Sequence, residues 1–211
     1  MPKEGDTYYI GGDVAEGKQT TTASGSTDYD YTVFVAKDGH GRTVALFRDR
    51  IKPEEAALPL LLMSIMYNNA LVNCERNGPG QVVWSMFRQT GYYNVHYRKG
   101  KGSILDRAWA LTTQSNRHPL LYSLRASYRE CPDRPWFKET ILEMNELIID
   151  NKGKIQARRG AHDDIIIAEC HSWSMIYAEK GVVLHSEKPE KPAPSALLFD
   201  DIMSFNGIER W

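Results

Sequence analysis

What this chain has little of narrows it first. Its three cysteines, Cys74, Cys131 and Cys170, are odd in number and never spaced C-x-x-C. That excludes a disulfide framework and a zinc cluster and points to a reducing compartment. No apolar run is long enough to cross a bilayer, since the best of them, 56–63, is cut by Pro59. The first residues carry no leader-like apolar stretch, so a soluble, untargeted protein is expected. Net charge is scarce too: 26 Lys and Arg against 27 Asp and Glu leave −1, so any attraction to a polyanion must be local. No repeat period occurs, and 211 residues suffice for one good-sized core.

What is present reads as an α/β chain. Residues 8–14, 31–36 and 43–47 are short β-branched and aromatic runs separated by Gly, Asp and Ser, the punctuation of an antiparallel meander. Residues 53–67 have helical length, with Pro53 suited to a first turn and Asn68-Asn69 to an end. The run 70–74, a helix over 81–89 and a strand over 93–97 form a strand, helix, strand unit with parallel character. Helices are expected over 104–111, 120–128, 135–145 and 163–178, and a hairpin pairs 147–150 with 154–157 around "NKG". Beyond 186 comes the proline-rich "EKPEKPAPS", so a domain over 1–186 and a linker and tail over 187–211 are expected.

The stretch "IGGDVAEGKQT" supports two incompatible sites. Gly12, Gly17 and Lys18 fit part of a phosphate-binding loop, but such a loop needs Ser or Thr after the lysine and must open a helix. Gln19 follows instead, then "TTTASGSTDYDYTV", which is poor in helix formers. The bland counterpart of that reading is a hairpin loop with a chance lysine. In the second reading Asp13 ends a buried strand and holds a metal.

Two further acids end or begin apolar elements. Glu75 closes "ALVNCE", and side-chain alternation lets it share a face with Asp13 if their strands are neighbours. In "GAHDDIIIA", Asp163 heads a stripe with Ile166, Ile167 and Cys170, although Asp at such a place is also a common helix cap. Converging carboxylates without a cation repel one another toward protonation. Convergence therefore implies metal, and oxygen-only ligands suit Mg²⁺ or Mn²⁺ rather than Zn²⁺. His162 beside these acids is either a supporting partner or an ordinary loop histidine.

The pieces "GGDVAEG", "DYTVFVAKD", "CERNGPG", "TTQSNRHPLL" and "GAHDDIIIA", in this order over about residues 8–178, resemble the ribonuclease H-like nucleases. Among these the chain looks like the nuclease domain of the large terminase subunit of tailed bacteriophages. The resemblance implies a mixed sheet, three antiparallel strands followed by parallel ones, flanked by helices. It implies Asp13, Glu75 and Asp163 as catalytic, metal-binding acids around two Mg²⁺ or Mn²⁺ ions, with Asp164 an additional or substitute ligand; Asp30, which opens the second strand, is first a solvated loop residue and second, like His162, a partner behind these acids. It also implies hydrolysis of double-stranded DNA by two-metal chemistry during viral genome packaging in the cytoplasm of an infected host. Large terminases carry an ATPase motor ahead of the nuclease, and no credible Walker pair occurs here, so a nuclease portion that cuts but does not pump is expected. The portal protein, the small terminase subunit and an ATPase motor domain are the partners implied.

DNA requires cationic surface. Residues 88–134 hold nine Lys or Arg against three acids, and Arg98, Lys99 and Lys101 in "HYRKGKGS" are candidates for phosphate contact, as are Lys154, Arg158 and Arg159 in "GKIQARRG". A wet charged face is the plain alternative for both. Three rival functions remain: a resolvase-like or RNase H-like nuclease on branched DNA or RNA–DNA hybrids, a nucleotide-binding phosphate-loop module using Lys18, and a nucleic-acid-binding domain without catalysis.

Overall fold

The computed structural model describes residues 2–16, 19–21, 27–96, 114–130, 137–151 and 153–180. In chain order the elements are β1 (Tyr8–Asp13), β2 (Gln19–Thr21), β3 (Thr27–Tyr29), β4 (Thr32–Asp38), β5 (Thr43–Asp49), α1 (Pro53–Met66), β6 (Leu71–Cys74) and α2 (Gly80–Gln89). They continue with α3 (Gln114–Glu130), α4 (Lys138–Asn145), β7 (Leu147–Ile149), β8 (Ile155–Ala157) and α5 (Asp164–Lys180). The main sheet has the order β5-β4-β1-β6. β4 is antiparallel to both β5 and β1, whereas β6 runs parallel to β1. This is the mixed sheet expected from the sequence.

Strand parity builds three layers. Ile10, Phe34, Ala36, Val72 and Cys74 point to one face and pack on Ala56, Leu60, Val83 and Phe87 of α1 and α2. The alternate residues point to the other face, where Tyr9 joins Leu121, Leu124, Trp173 and Ile176 of α3 and α5. Val33 and Val35 meet Ile165 and Ala168 on that same face. The two faces bury a double core, and α5 lies directly across β1 and β4.

Four expectations are corrected or extended. The strand over 93–97 reduces to a single parallel bridge between Val95 and Val72. Of the helix expected over 135–145, residues 138–145 are helical and Phe137 is extended, while 135 and 136 lie outside the described residues. The helix expected over 120–128 runs from Gln114 to Glu130 and passes through Pro119, because Leu121, Leu124 and Tyr128 are buried in the α3–α5 core and packing overrides the local break. Where a phosphate loop must open a helix, β2 and β3 form a two-stranded antiparallel pair instead. Gly17, Lys18, the helix expected over 104–111 and the boundary at 187 lie outside the described residues.

A buried ion pair ties the layers together. Lys37 of β4, fully buried, pairs with Glu169 of α5 and donates to Thr43 Oγ1 at 2.8 Å. Thr43 and the Tyr128 hydroxyl donate to the same carboxylate at 2.8 and 3.1 Å. Satisfied on several sides, such a pair contributes little net stability, but losing one partner strands a buried charge.

Another buried polar group makes the fold pH-sensitive. His171 of α5 is 1% exposed, and burial first, then the charge of His96, lower its pKa from 6.5 to about 4. The unfolded chain therefore takes up a proton near pH 6.5 that the folded chain refuses until about pH 4. Stability falls as pH drops through that window. Comparing urea unfolding of the parent with His171→Gln, the difference in unfolding free energy should change by about 3 kcal/mol between pH 7 and pH 4. A constant difference would overturn this assignment.

Candidate metal centre

The parallel pairing of β1 with β6 brings two strand ends to one edge. Gly12 faces Cys74 in the register, and the Glu75 N–H donates to the Gly12 carbonyl at 2.8 Å. Asp13 and Glu75 each stand two residues beyond a side chain or glycine on the α5 side, so both emerge toward that helix. α5 starts at Asp164, over the same edge. The result is a cleft of about 240 Å³ whose lining includes Asp13, Glu16, Asp30, Glu75, Asn77 and Asp164. Of the described residues lining it, five are carboxylates and none is Lys or Arg.

Several of these acids are held by neighbours. Asn77 donates its amide to Glu75 Oε1. Asp164 Oδ2 accepts the Tyr31 N–H at 3.3 Å and lies 3.4 Å from His162 Nδ1, which is 3.7 Å from Asp30 Oδ1. His162 also stands edge-on to Tyr31, whose ring is covered by the guanidinium of Arg48 at 3.5 Å. Asp163 turns elsewhere. Its Oδ2 pairs with Arg117 of α3 and accepts the Ala157 N–H at 3.2 Å, and it does not line the cleft.

Asp163 occupies the cap position of α5, its carbonyl accepting the Ile167 N–H at 3.0 Å. Its side chain does not serve the first turn. Glu143 of α4 does so from across the fold, accepting the Ile165 N–H at 2.8 Å. Burial, then the charge of Asp164, pushes the Glu143 carboxyl up to about 7.

The electrostatics converge on Asp13. Burial, then the charges of Glu75, Asp164 and Asp163, push its carboxyl well above the usual carboxylate range, against a lesser opposing pull from Arg117. A cation in the cleft removes that penalty. Oxygen-only donors rich in carboxylate fit a hard divalent ion. Among the described residues no three Cys, His, Asp or Glu side chains are already gathered tightly enough to enclose an ion.

Of the residues singled out from the sequence, Asp13, Glu75, Asp164 and Asp30 share the cleft, His162 links two of them, and Asp163 stands behind on Arg117. Lys154, Arg158 and Arg159 are exposed beside β8, Arg158 lying 3.6 Å from Glu146. Arg98, Lys99 and Lys101 lie outside the described residues. Sequence reasoning missed Glu16, Asn77 and Glu143. Asn77 was legible in principle, because an amide two residues after a strand-end acid can fold back on it; Glu143 left no local signal.

A four-stranded mixed sheet with its acids at the ends of β1 and β6 and the start of a crossing helix is the ribonuclease H-like fold. Within that class the likeness is to nuclease domains of phage large terminases. The large terminase nuclease of thermophilic phage G20c with bound magnesium superposes with a TM-score of 0.60 at 19% identity, covering 82% of this chain and 83% of that one. The Thermus phage P74-26 large terminase nuclease domain gives 0.60 at 18% identity, covering 83% of each chain. The G20c nuclease with bound cobalt gives 0.58 at 20% identity, over 82% of this chain and 83% of that one. No protein-family model and no curated protein matches the sequence. At these identities the likeness establishes the fold, and the chemistry rests on the cleft.

Proposed function

We propose that this chain is a divalent-metal-dependent endonuclease that hydrolyses phosphodiester bonds of double-stranded DNA, the nuclease activity of a large terminase. The observation that carries the reading is the half-buried Asp13 carboxyl, driven toward protonation by desolvation and by the acids around it in a cleft without Lys or Arg among its described lining residues. The terminase nucleases of the same fold include one with bound magnesium, one with cobalt and one with zinc, which supports a divalent ion here.

Asp13, Glu75 and Asp164 would hold the metal, with Asp163 close enough to add charge. Two Mg²⁺ or Mn²⁺ ions, when bound, supply a water acidified for attack and charge to stabilise the leaving oxygen. Asp13 feels the charges of Glu75, Asp164 and Asp163 together. Asn77 fixes the Glu75 carboxylate, and His162 fixes Asp164 and Asp30. Arg117 pairs with Asp163, which stands back from the cleft lining. No side chain acts as nucleophile, so hydroxyl and thiol groups are dispensable; Cys74 beside the site is buried, with its thiol pushed up by burial and by Asp13.

Residues 1–186 would form the nuclease unit and 187–211 a linker and tail. In an infected host's cytoplasm it would work beside the ATPase motor, the portal and the small terminase subunit. The test is nicking of supercoiled plasmid with Mg²⁺, Mn²⁺ or EDTA, alongside a linear duplex, an RNA–DNA hybrid and a four-way junction. Cutting of plasmid and duplex that EDTA removes is expected. Cutting confined to the hybrid or the junction would move the chain to the RNase H-like or resolvase-like class, and cutting unaffected by EDTA would refute the metal centre.

A further inference from the structure

A second hollow, of about 540 Å³, runs along α2 and is lined by Arg76, Gln81, Trp84, Ser85, Arg88 and Gln89. Residues 81, 84, 85 and 88 recur at helical spacing, so one face of α2 forms its floor. Its chemistry is opposite to that of the acidic cleft. Two guanidinium groups, two amides, a hydroxyl and an indole line it, and no carboxylate is among its described lining residues.

The two arginines are set differently. The Arg88 guanidinium lies 5.7 Å from the centroid of the Trp84 ring, and Trp84 is only 7% exposed, which fixes a platform for the charge. Arg88 also stands in the last turn of α2, where the helix dipole favours a cation. Arg76 has no such explanation. Its Nε is buried and makes no hydrogen bond within the protein, so a ligand or solvent has to satisfy it.

Arg76 follows Glu75 directly, so the cationic hollow begins where the acidic cleft ends. Arg88 lies eight residues beyond the start of α2, about 12 Å along its axis. Arg76 stands before that helix and Arg88 in its last turn, and the hollow they line, about 540 Å³, has room for more than one phosphate of a strand. A polyanion brought to a cleft of five carboxylates needs cations close by, and a chain of net charge −1 supplies no general attraction.

We propose that the α2 groove binds the phosphodiester backbone of the DNA strand that enters the acidic cleft, with Arg76 and Arg88 each holding a phosphate. The proposal rests on the nuclease reading and names how its substrate is held. Contact is to phosphate and not to base edges, so the groove is indifferent to sequence.

The experiment is fluorescence anisotropy of a labelled DNA duplex in EDTA, where nothing is cut, at several salt concentrations from 50 to 200 mM. The Arg76→Gln/Arg88→Gln chain should bind about tenfold more weakly at the lowest salt, and its log affinity against log salt should flatten by about two. Arg76→Lys/Arg88→Lys should keep most of the slope. Ser85→Glu, an exposed change that leaves both arginines in place, should weaken binding in the same direction. In Mg²⁺ the glutamine variant should show a raised KM with kcat largely kept. If the folded glutamine variant and Ser85→Glu both bind with the parent's affinity and slope, or if the parent does not bind the duplex, the groove proposal is overturned. A parent that binds with the expected variant effects but cuts nothing with any metal would refute the nuclease reading and leave the groove standing.

Discussion

Asp13→Asn is expected to reduce metal-dependent cleavage about a thousandfold or more while raising the melting temperature of the metal-free protein. The two effects have one cause. Asp13 is half-buried at the end of β1 near Glu75, Asp164 and Asp163, and its charged form is disfavoured by desolvation and those charges. Asparagine keeps the shape and deletes the repulsion, so the fold gains. It also deletes a carboxylate proposed to hold the metal, and losing several kcal/mol of metal-borne stabilisation amounts to about three powers of ten in rate. Added Mn²⁺ or Mg²⁺ should raise the parent's melting temperature, by the equivalent of about 2.7 kcal/mol at a hundredfold excess over Kd, and do so far less for the variant. An Asp13→Asn chain that cuts like the parent would end the catalytic assignment. One that is inactive but less stable would point to a structural role.

The acidic cleft was partly legible in the sequence. Asp13 and Glu75 could be found because each closes an apolar strand, and strand parity makes a shared face a local property. The choice between Asp163 and Asp164 was not local. It depends on Arg117, forty-six residues upstream on α3, and on Ala157, which together draw Asp163 out of the cleft lining and leave Asp164 in it. Glu143 capping α5 from α4, and Lys37 meeting Glu169 beneath the sheet, are invisible for the same reason: each polar group is satisfied by a partner that only the tertiary fold supplies. Helix α1 is a further case, apolar on its buried side at Ala56, Leu60 and Met63 and on its exposed side at Leu58, Leu62 and Met66. Length and end signals, not periodicity, revealed it.

Gly11→Ala should destabilise the chain by more than about 4 kcal/mol, well beyond an ordinary glycine substitution. A Cβ on Gly11 would lie 2.0 Å from the Ala168 carbonyl oxygen and 2.3 Å from the Ser172 nitrogen, both backbone atoms of α5. Side chains can rotate aside, but a helix backbone must move as a body. The contact between β1 and α5 also sets how far Asp13 stands from Asp164, so any variant molecules that fold should place the acids apart and cut poorly. Gly91→Ala is the control, since at φ 75° a Cβ there meets nothing within 4 Å and only the left-handed backbone penalises it. That penalty is about 1–2 kcal/mol and leaves the site untouched. Urea unfolding of the two variants, with plasmid cleavage by whatever remains folded, separates loss of a turn glycine from loss of the strand–helix contact. If Gly11→Ala proved no less stable than Gly91→Ala, α5 would not lie against β1 as closely as described, and the meeting of Asp13 with Asp164 would lose its structural basis.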